Sequence, residues 1–196
     1  MGEGPLRLLT AVFLGTALAI SGHYRRRADH TAGSLGKRGG GALIVLRVVG
    51  VVALLPVLAY LVHPPWVDWA RVSLPPALRW LAGAAGVALM PVLVWVFRAL
   101  GPNISPSHTT REGHQLVTHG PYRYVRHPLY TTGTLLSVAL ALMSALWWPV
   151  AWLVPGLLLL HWRTPREEEH LVEAFGDAYR EYQERTGRYL PRLRVR

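Results

Sequence analysis

The alternation of long apolar runs with short basic blocks constrains this chain more than any other feature. A helix that crosses a bilayer needs about 20 mostly apolar residues. Residues 43–62 reach that length with Pro56 inside, and residues 77–100 reach it with Pro91 and the small residues Gly83, Ala84, Ala85 and Gly86, which let membrane helices approach closely. Residues 129–162 are too long for one span and are broken by Trp147-Trp148-Pro149. They predict two short helices joined by a tight turn, a hairpin that is either tilted or only partly crossing. Residues 6–20 are apolar but short, and Ala17-Leu18-Ala19 resembles a signal-peptidase site. A cleaved signal peptide is therefore an alternative to a first span; the low positive charge before the run and the basic stretch after it favour the span.

Charge orients these runs. The chain carries 21 basic against 11 acidic residues, a net charge of +10, yet only 16% of its residues are charged, against about 25% in a soluble domain. The cations lie in blocks between apolar runs, which suits a membrane and not the interleaved polar face of a nucleic-acid binder. Arg25, Arg26, Arg27, Lys37 and Arg38 fill the first connection, Arg111, Arg123 and Arg126 the third, and eight arginines the tail from Arg163. With five spans, all three blocks fall on one side, and by the positive-inside rule that side is the cytoplasm. The expectation is an all-α, polytopic membrane bundle of about five transmembrane helices. Its amino end lies outside and its cytoplasmic C-terminal tail forms an amphipathic helix; in a bacterium this is the inner membrane. Residues 31–41, rich in glycine and basic, predict a flexible loop. The absence of cysteine excludes disulfides, a thiolate zinc site and a thiol nucleophile.

The polar stretch from 101 to 127 ends in Gly120-Pro121-Tyr122-Arg123-Tyr124-Val125-Arg126-His127-Pro128-Leu129-Tyr130. Gly120-Pro121 suits a turn and Pro128 the first turn of a helix, so Tyr122 to His127 sit at the cytoplasmic mouth of the fourth helix. Aromatic rings and cations at that density can stack on a purine and pair with a carboxylate. The tail opens Arg163-Thr164-Pro165-Arg166-Glu167-Glu168-Glu169, and Glu167, Leu171 and Phe175 follow helical spacing, with Tyr179 and Tyr182 on a nearby face. Carboxylates at the exit of the last span can hydrogen-bond a ribose or face a sulfonium or ammonium charge.

The first of these blocks resembles the cofactor-site signature of isoprenylcysteine carboxyl methyltransferases and their bacterial homologues. The second, from Arg163 to Glu168 with Leu171, Phe175-Gly176, Tyr179, Tyr182 and Leu190-Pro191, is similar to that family's second signature, and a helical hairpin separates the two as it does there. The likeness covers residues 101–191. It implies a membrane methyltransferase that binds S-adenosylmethionine near the cytoplasmic face and takes its acceptor from the lipid. It also implies that Gly120, Pro121, Tyr122, Arg126, His127, Pro128 and Tyr130 line the cofactor pocket. Glu167 and Glu168 would hold the cofactor's polar groups, Arg126 would orient its carboxylate, and Arg163 would stand beside the reacting carboxylate; Arg163, Glu167 and Glu168 are thus the catalytic candidates. On this reading residues 1–100 supply about three N-terminal transmembrane helices and residues 101–196 the cofactor-binding region. Thr131-Thr132 departs from the aliphatic residues usual after the first block, Pro165 interrupts the second, and the first hundred residues carry no family motif.

The acceptor stays open among a prenylcysteine carboxylate, a thiol and a lipid amine. A carboxylate or thiolate needs no strong base, whereas an amine or hydroxyl does. Plainer readings exist for each residue: headgroup contacts for Arg123 and Arg126, a helix start for His127, a solvated charge run for residues 167–169, and an aromatic belt for Tyr122, Tyr124 and Tyr130. His161 reads as an interfacial residue, and Trp66, Trp69, Trp147 and Trp148 as outer anchors. His108, His114 and His119 are irregularly spaced with only Glu112 near, so no metal site is expected. Two other functions compete: an NADPH-dependent enzyme like the sterol reductases, which calls for a longer chain, and a non-catalytic relative.

Overall fold

The computed structural model describes residues 3–31, 41–101 and 116–192. The loop expected at 31–41, with Lys37 and Arg38, lies largely outside them, as do His108, Arg111, Glu112 and His114. Among the described residues the chain forms six α-helices: α1 Glu3–Thr31, α2 Gly41–Val62, α3 Pro76–Leu100, α4 Pro128–Ser144, α5 Trp148–Phe175 and α6 Asp177–Arg185. Short 3-10 turns occupy Pro64–Ala70 and Gly120–Arg123.

The first helix is longer than its apolar stretch, because Arg25, Arg26 and Arg27 continue it with exposed side chains. The hairpin at 129–162 does break where the tryptophans stand. Ala145 takes a left-handed conformation at φ 53° and ends α4, and Pro149 sits in the first turn of α5, where a missing N–H costs nothing. The second arm, however, does not stop at the apolar boundary. It runs through Pro165 to Phe175 as one helix, so Glu167 and Glu168 ride on the same rigid element as the apolar arm.

Two helices, over Glu3–Ala28 and Pro76–Leu100, are long and apolar enough to cross a membrane, while Arg47–Val62 and Pro128–Ser144 are apolar but shorter. Only 22% and 33% of the two long apolar windows is buried, where the core helix of a soluble protein would be mostly buried. Leu8, Val12, Ile44, Val51, Leu81 and Leu158 all point outward, and apolar surface on that scale suits lipid.

The core lies between α1, α3 and α4, where Phe13, Leu14, Leu93, Phe97, Leu136, Leu140 and Met143 pack together, joined by Val57 and Tyr60 from α2. α3 packs most extensively on α4, and α2 on α5. Two glycines set the approach of α1 and α4 to α3: a Cβ on Gly83 would stand 2.6 Å from Leu9 Cδ2, and one on Gly86 2.6 Å from the Phe13 ring and 3.3 Å from the Ala139 Cβ.

The far end of the bundle is tied by polar groups. Arg79 is buried and donates to Met143 O at 3.1 Å, to Glu3 at 2.7 and 3.2 Å and to the Tyr60 hydroxyl at 3.1 Å. One guanidinium thus joins α1, α2, α3 and the end of α4. Beside it Val72 N–H donates to Ala145 O at 2.9 Å and Trp147 N–H to Ala70 O at 3.0 Å, so the α4–α5 turn is pinned to the α2–α3 connection. Trp69 packs edge-on against Trp147 and Trp148 there.

Gly86→Ala is expected to lower the thermal unfolding midpoint in detergent, because overpacking of about 1–3 kcal/mol outweighs the helix propensity gained, up to about 1 kcal/mol. Gly15→Ala, with open space around the position, should leave the midpoint unchanged or raise it. Equal behaviour of the two would mean that α1 does not pack on α3 at Gly86.

Candidate functional site

The ends of α1 and α3, the start of α4 and the end of α5 meet at the other end of the bundle. Arg98 Nε on α3 donates to the Tyr24 hydroxyl on α1 at 3.2 Å. The chain then re-enters at Gly120, whose φ of +61° strains any residue with a side chain. Its missing Cβ would lie 3.0 Å from Ala99 and 3.3 Å from Trp95 Nε1. Pro121 starts the 3-10 turn, and Tyr124 and Val125 N–H both donate to its carbonyl, at 3.1 and 3.3 Å. His127 and Pro128 then open α4, with Tyr130 and Thr131 N–H donating to His127 O at 3.1 and 3.2 Å. Gly176, at φ +57°, lets α6 fold back from α5.

Past α6 the chain crosses this corner as a short strap. Arg126 N–H donates to Gly187 O at 2.8 Å and His127 N–H to Arg188 O at 3.0 Å, a parallel pairing of Val125 with Gly187. No side chain fits at Gly187, since a Cβ would lie 1.8 Å from Leu190 O. Beneath the strap Tyr182 donates its hydroxyl to Tyr122 O at 2.6 Å; burial raises this phenol well above its ordinary pKa and so keeps the proton that makes the bond.

Glu168 is the centre of the arrangement. Its side chain is 4% exposed, and both oxygens are occupied. Oε1 accepts from Arg126 Nε at 2.8 Å and lies 3.2 Å from His127 Nε2. Oε2 accepts from Arg188 Nη2 at 2.7 Å and Gln183 Nε2 at 3.4 Å. Burial alone would raise this carboxyl, but hydrogen bonds from His127, Arg188 and Arg126 outweigh it and hold the group far below the ordinary carboxylate range. Arg126 also uses Nη1 on Gln183 O at 3.0 Å and on Thr186 O, so it reaches inward to the strap and not outward to headgroups.

One residue earlier Glu167 turns the other way and accepts from the Tyr130 hydroxyl at 2.7 Å. The Tyr130 ring lies parallel to the His127 ring, centroids 5.3 Å apart and planes 3° off, and Tyr189 tilts against His127 at 5.9 Å. Arg163, one turn before Glu167, is buried and within electrostatic reach of Tyr130. Thr164, one turn before Glu168, accepts from the Tyr189 hydroxyl at 2.8 Å. Glu169 is exposed, so a solvated run describes that residue alone.

The residues singled out in the sequence thus divide. Arg126, His127, Tyr130, Glu167 and Glu168 form one bonded cluster. Arg163 lies beside it, and Pro128 is buried at the head of α4. Gly120, Pro121 and Tyr122 build the frame against α3 and α6. Gln183, Thr186, Gly187, Arg188 and Tyr189 escaped sequence reasoning, because one arginine among eight in the tail has no spacing that marks it. Between α5 and the strap lies an open groove of about 400 Å³ walled by Glu168, Glu169, Glu173, Gln183 and Arg188.

Because Glu168 is ionised and paired only when folded, its contribution is complete above the unfolded carboxyl pKa of about 4.3 and fades as pH falls through the lower folded value. Wild type and Glu168→Gln should therefore differ most near pH 7, by the ~3–5 kcal/mol of a broken buried pair, and converge in acid. Unfolding midpoints measured in detergent across pH check this; a constant gap would mean that the charge is not what matters.

A model of the phospholipid methyltransferase family matches residues 78–178, half of the chain, from α3 through the Gly120–Tyr130 and Arg163–Glu168 blocks. Over 141 residues the chain is 28% identical to a protein-S-isoprenylcysteine O-methyltransferase of Dictyostelium discoideum, covering 64% of this chain and 55% of that one. Over 83 residues it is 34% identical to the nickel-cobalt-cadmium resistance protein NccN of Alcaligenes xylosoxydans xylosoxydans, covering 42% and 39%. The chain thus spans about half the length, or less, of these curated relatives. With the family match running through both blocks that meet at Glu167 and Glu168, the chain belongs to the phospholipid methyltransferase family.

Proposed function

We propose that this chain is a membrane methyltransferase that uses S-adenosylmethionine and methylates a lipophilic acceptor at the cytoplasmic face. The observation that carries this reading is the convergence of the two polar blocks: Tyr130 bonded to Glu167 and Arg126 to Glu168, across 37 and 42 residues of chain. The local chemistry fits the cofactor. Carboxylates at Glu167, Glu169 and Glu173 suit ribose hydroxyls and cationic groups, the half-buried Tyr130 ring lies parallel on His127 beside Glu167, and Arg188 Nε is buried without a hydrogen-bond partner among the described residues. When bound, the cofactor supplies a methyl on a sulfonium, which moves in line to the acceptor while sulfur keeps the bonding pair.

The chain's own residues then have distinct tasks. His127, Tyr130 and Glu167 hold the donor side. Arg163 offers its guanidinium to an acceptor carboxylate, a geometry that arginine binds in a bidentate manner. The bundle below excludes water, and near-attack placement at about 3–3.5 Å does the rest. The acceptor arrives along apolar helix faces, so a prenylcysteine carboxylate, a lipophilic thiol and a lipid amine are the candidate substrates. The methyltransferase named above acts, by its name, on S-isoprenylcysteine; with Arg163 at the site, a carboxylate on a prenyl chain is the first acceptor to try. In this proposal residues 1–100 face the acceptor and residues 101–196 bind the donor.

The topology is part of the proposal. Exposed Arg25, Arg26, Arg27, Arg123 and Arg166 gather at the site's end of the bundle, as the positive-inside rule asks of a cytoplasmic face. In five spans the helices α1 to α5 cross and α6 lies on that face. A reporter fused after Arg196 is expected to read as cytoplasmic; an external signal would overturn the threading.

Calorimetry on detergent-purified protein tests the activity class. S-adenosylmethionine is expected to bind saturably and NADPH not at all, and His127→Ala should weaken the first by about tenfold or more without unfolding the protein. Binding of NADPH alone would move the chain to the reductase class, and binding of neither by folded protein would make it a non-catalytic relative.

A further inference from the structure

The groove between α5 and the strap carries Glu168, Glu169 and Glu173 on its α5 wall and one guanidinium, Arg188, on the other. Glu169 and Glu173 stand one turn apart on α5, while Arg188 and Gln183 face them from the strap and α6. Arg126 is drawn inward, with Nε on Glu168 and Nη1 on two backbone carbonyls. Arg188 is placed differently. Its Nη2 holds Glu168, but its Nε is buried with no hydrogen-bond partner among the described residues, and its side chain remains 37% exposed toward the groove. A buried donor without an acceptor is costly, so in native proteins such a group has a reason. A guanidinium whose Nη2 is anchored is also oriented, which lowers the entropy lost when it takes a planar anion.

Resting on the methyltransferase reading, we infer that Arg188 binds the carboxylate of the donor's amino-acid end, with the α-amino group facing Glu169 and Glu173 across the groove. A zwitterion fits a groove with a cationic wall and an anionic wall; a nucleoside alone carries no anion for the guanidinium. Arg188 sits on the strap, between Gly187, which pairs with Val125, and Tyr189, which packs on His127.

Two probes separate the roles. S-Adenosylhomocysteine and 5′-methylthioadenosine are both thioethers of adenosine, and only the first carries the amino acid. By calorimetry on the full chain, Arg188→Gln should weaken S-adenosylhomocysteine roughly 10- to 100-fold, the range of a charged hydrogen bond, and leave 5′-methylthioadenosine within about twofold. Arg188→Lys should recover part of the loss. Because Arg188 also ties down Glu168, a purely structural role would weaken both ligands by the same factor, and that result overturns the inference while leaving the methyltransferase reading intact. Unchanged affinity for both ligands overturns it as well. If folded wild type binds neither thioether, the methyltransferase reading itself fails and takes this assignment with it.

Discussion

A buried carboxylate holds the corner of this protein together. Glu168 is reached by the segment before α4 through Arg126 and His127, by α6 through Gln183 and by the strap through Arg188. An ionised group buried to this degree is costly unless every lone pair has a donor. That requirement specifies the geometry: each of the three segments must be present, at the right height, for the charge to be tolerated. The backbone pairing of Val125 with Gly187 and the bond from Tyr182 to Tyr122 O then follow as the ways in which the strap and α6 come within reach.

The corner depends on the bundle for its rigidity. α5 is a single helix from the Trp148 turn to Phe175, so its apolar arm and its charged end move as one body. At the far end Arg79 fixes α1, α2 and α3 to the Met143 carbonyl near the end of α4, and the α4–α5 turn is bonded to the α2–α3 connection. Both ends of the α4–α5 hairpin are therefore constrained, and the apolar middle is left to pack through Gly83 and Gly86 on one side and to face lipid on the other. Polar bonding is concentrated at the two ends, at Arg79 and at Glu168, and the glycine contacts sit between.

The neighbouring carboxylates have opposite fates. Glu168 is enclosed and paired, which suits it to hold structure. Glu167, one residue earlier and so about 100° around the helix, bonds a single phenol at the start of α4 and stays half-buried. Consecutive positions on one helix thus separate an enclosed carboxylate held from three segments from a half-buried one that accepts from Tyr130.

Much of this was legible in the sequence, because hydropathy and turn chemistry act locally. The apolar runs, the break at Trp147-Trp148-Pro149, the turn at Gly120-Pro121 and the helix start at Pro128 all depend on a few consecutive residues, and the two polar blocks resemble the signatures of a known family. The extent of α1 past residue 20 and the passage of α5 through Pro165 were not legible, since neighbours override a local breaker when the helix is held at both ends. Nor was the place of Arg188 or Tyr189. Arg188 is one of eight tail arginines; its place arises because Gly176 turns α6 back and Gly187 lets the strap pass beside Val125, bringing residues 126, 127 and 188 onto the Glu168 carboxylate. Local hydropathy and turn chemistry determined the helices, and the residues of the two polar blocks carried the resemblance to the family. Only the tertiary structure decided which charges are buried together, because burial is a property of the packed corner and of no single segment.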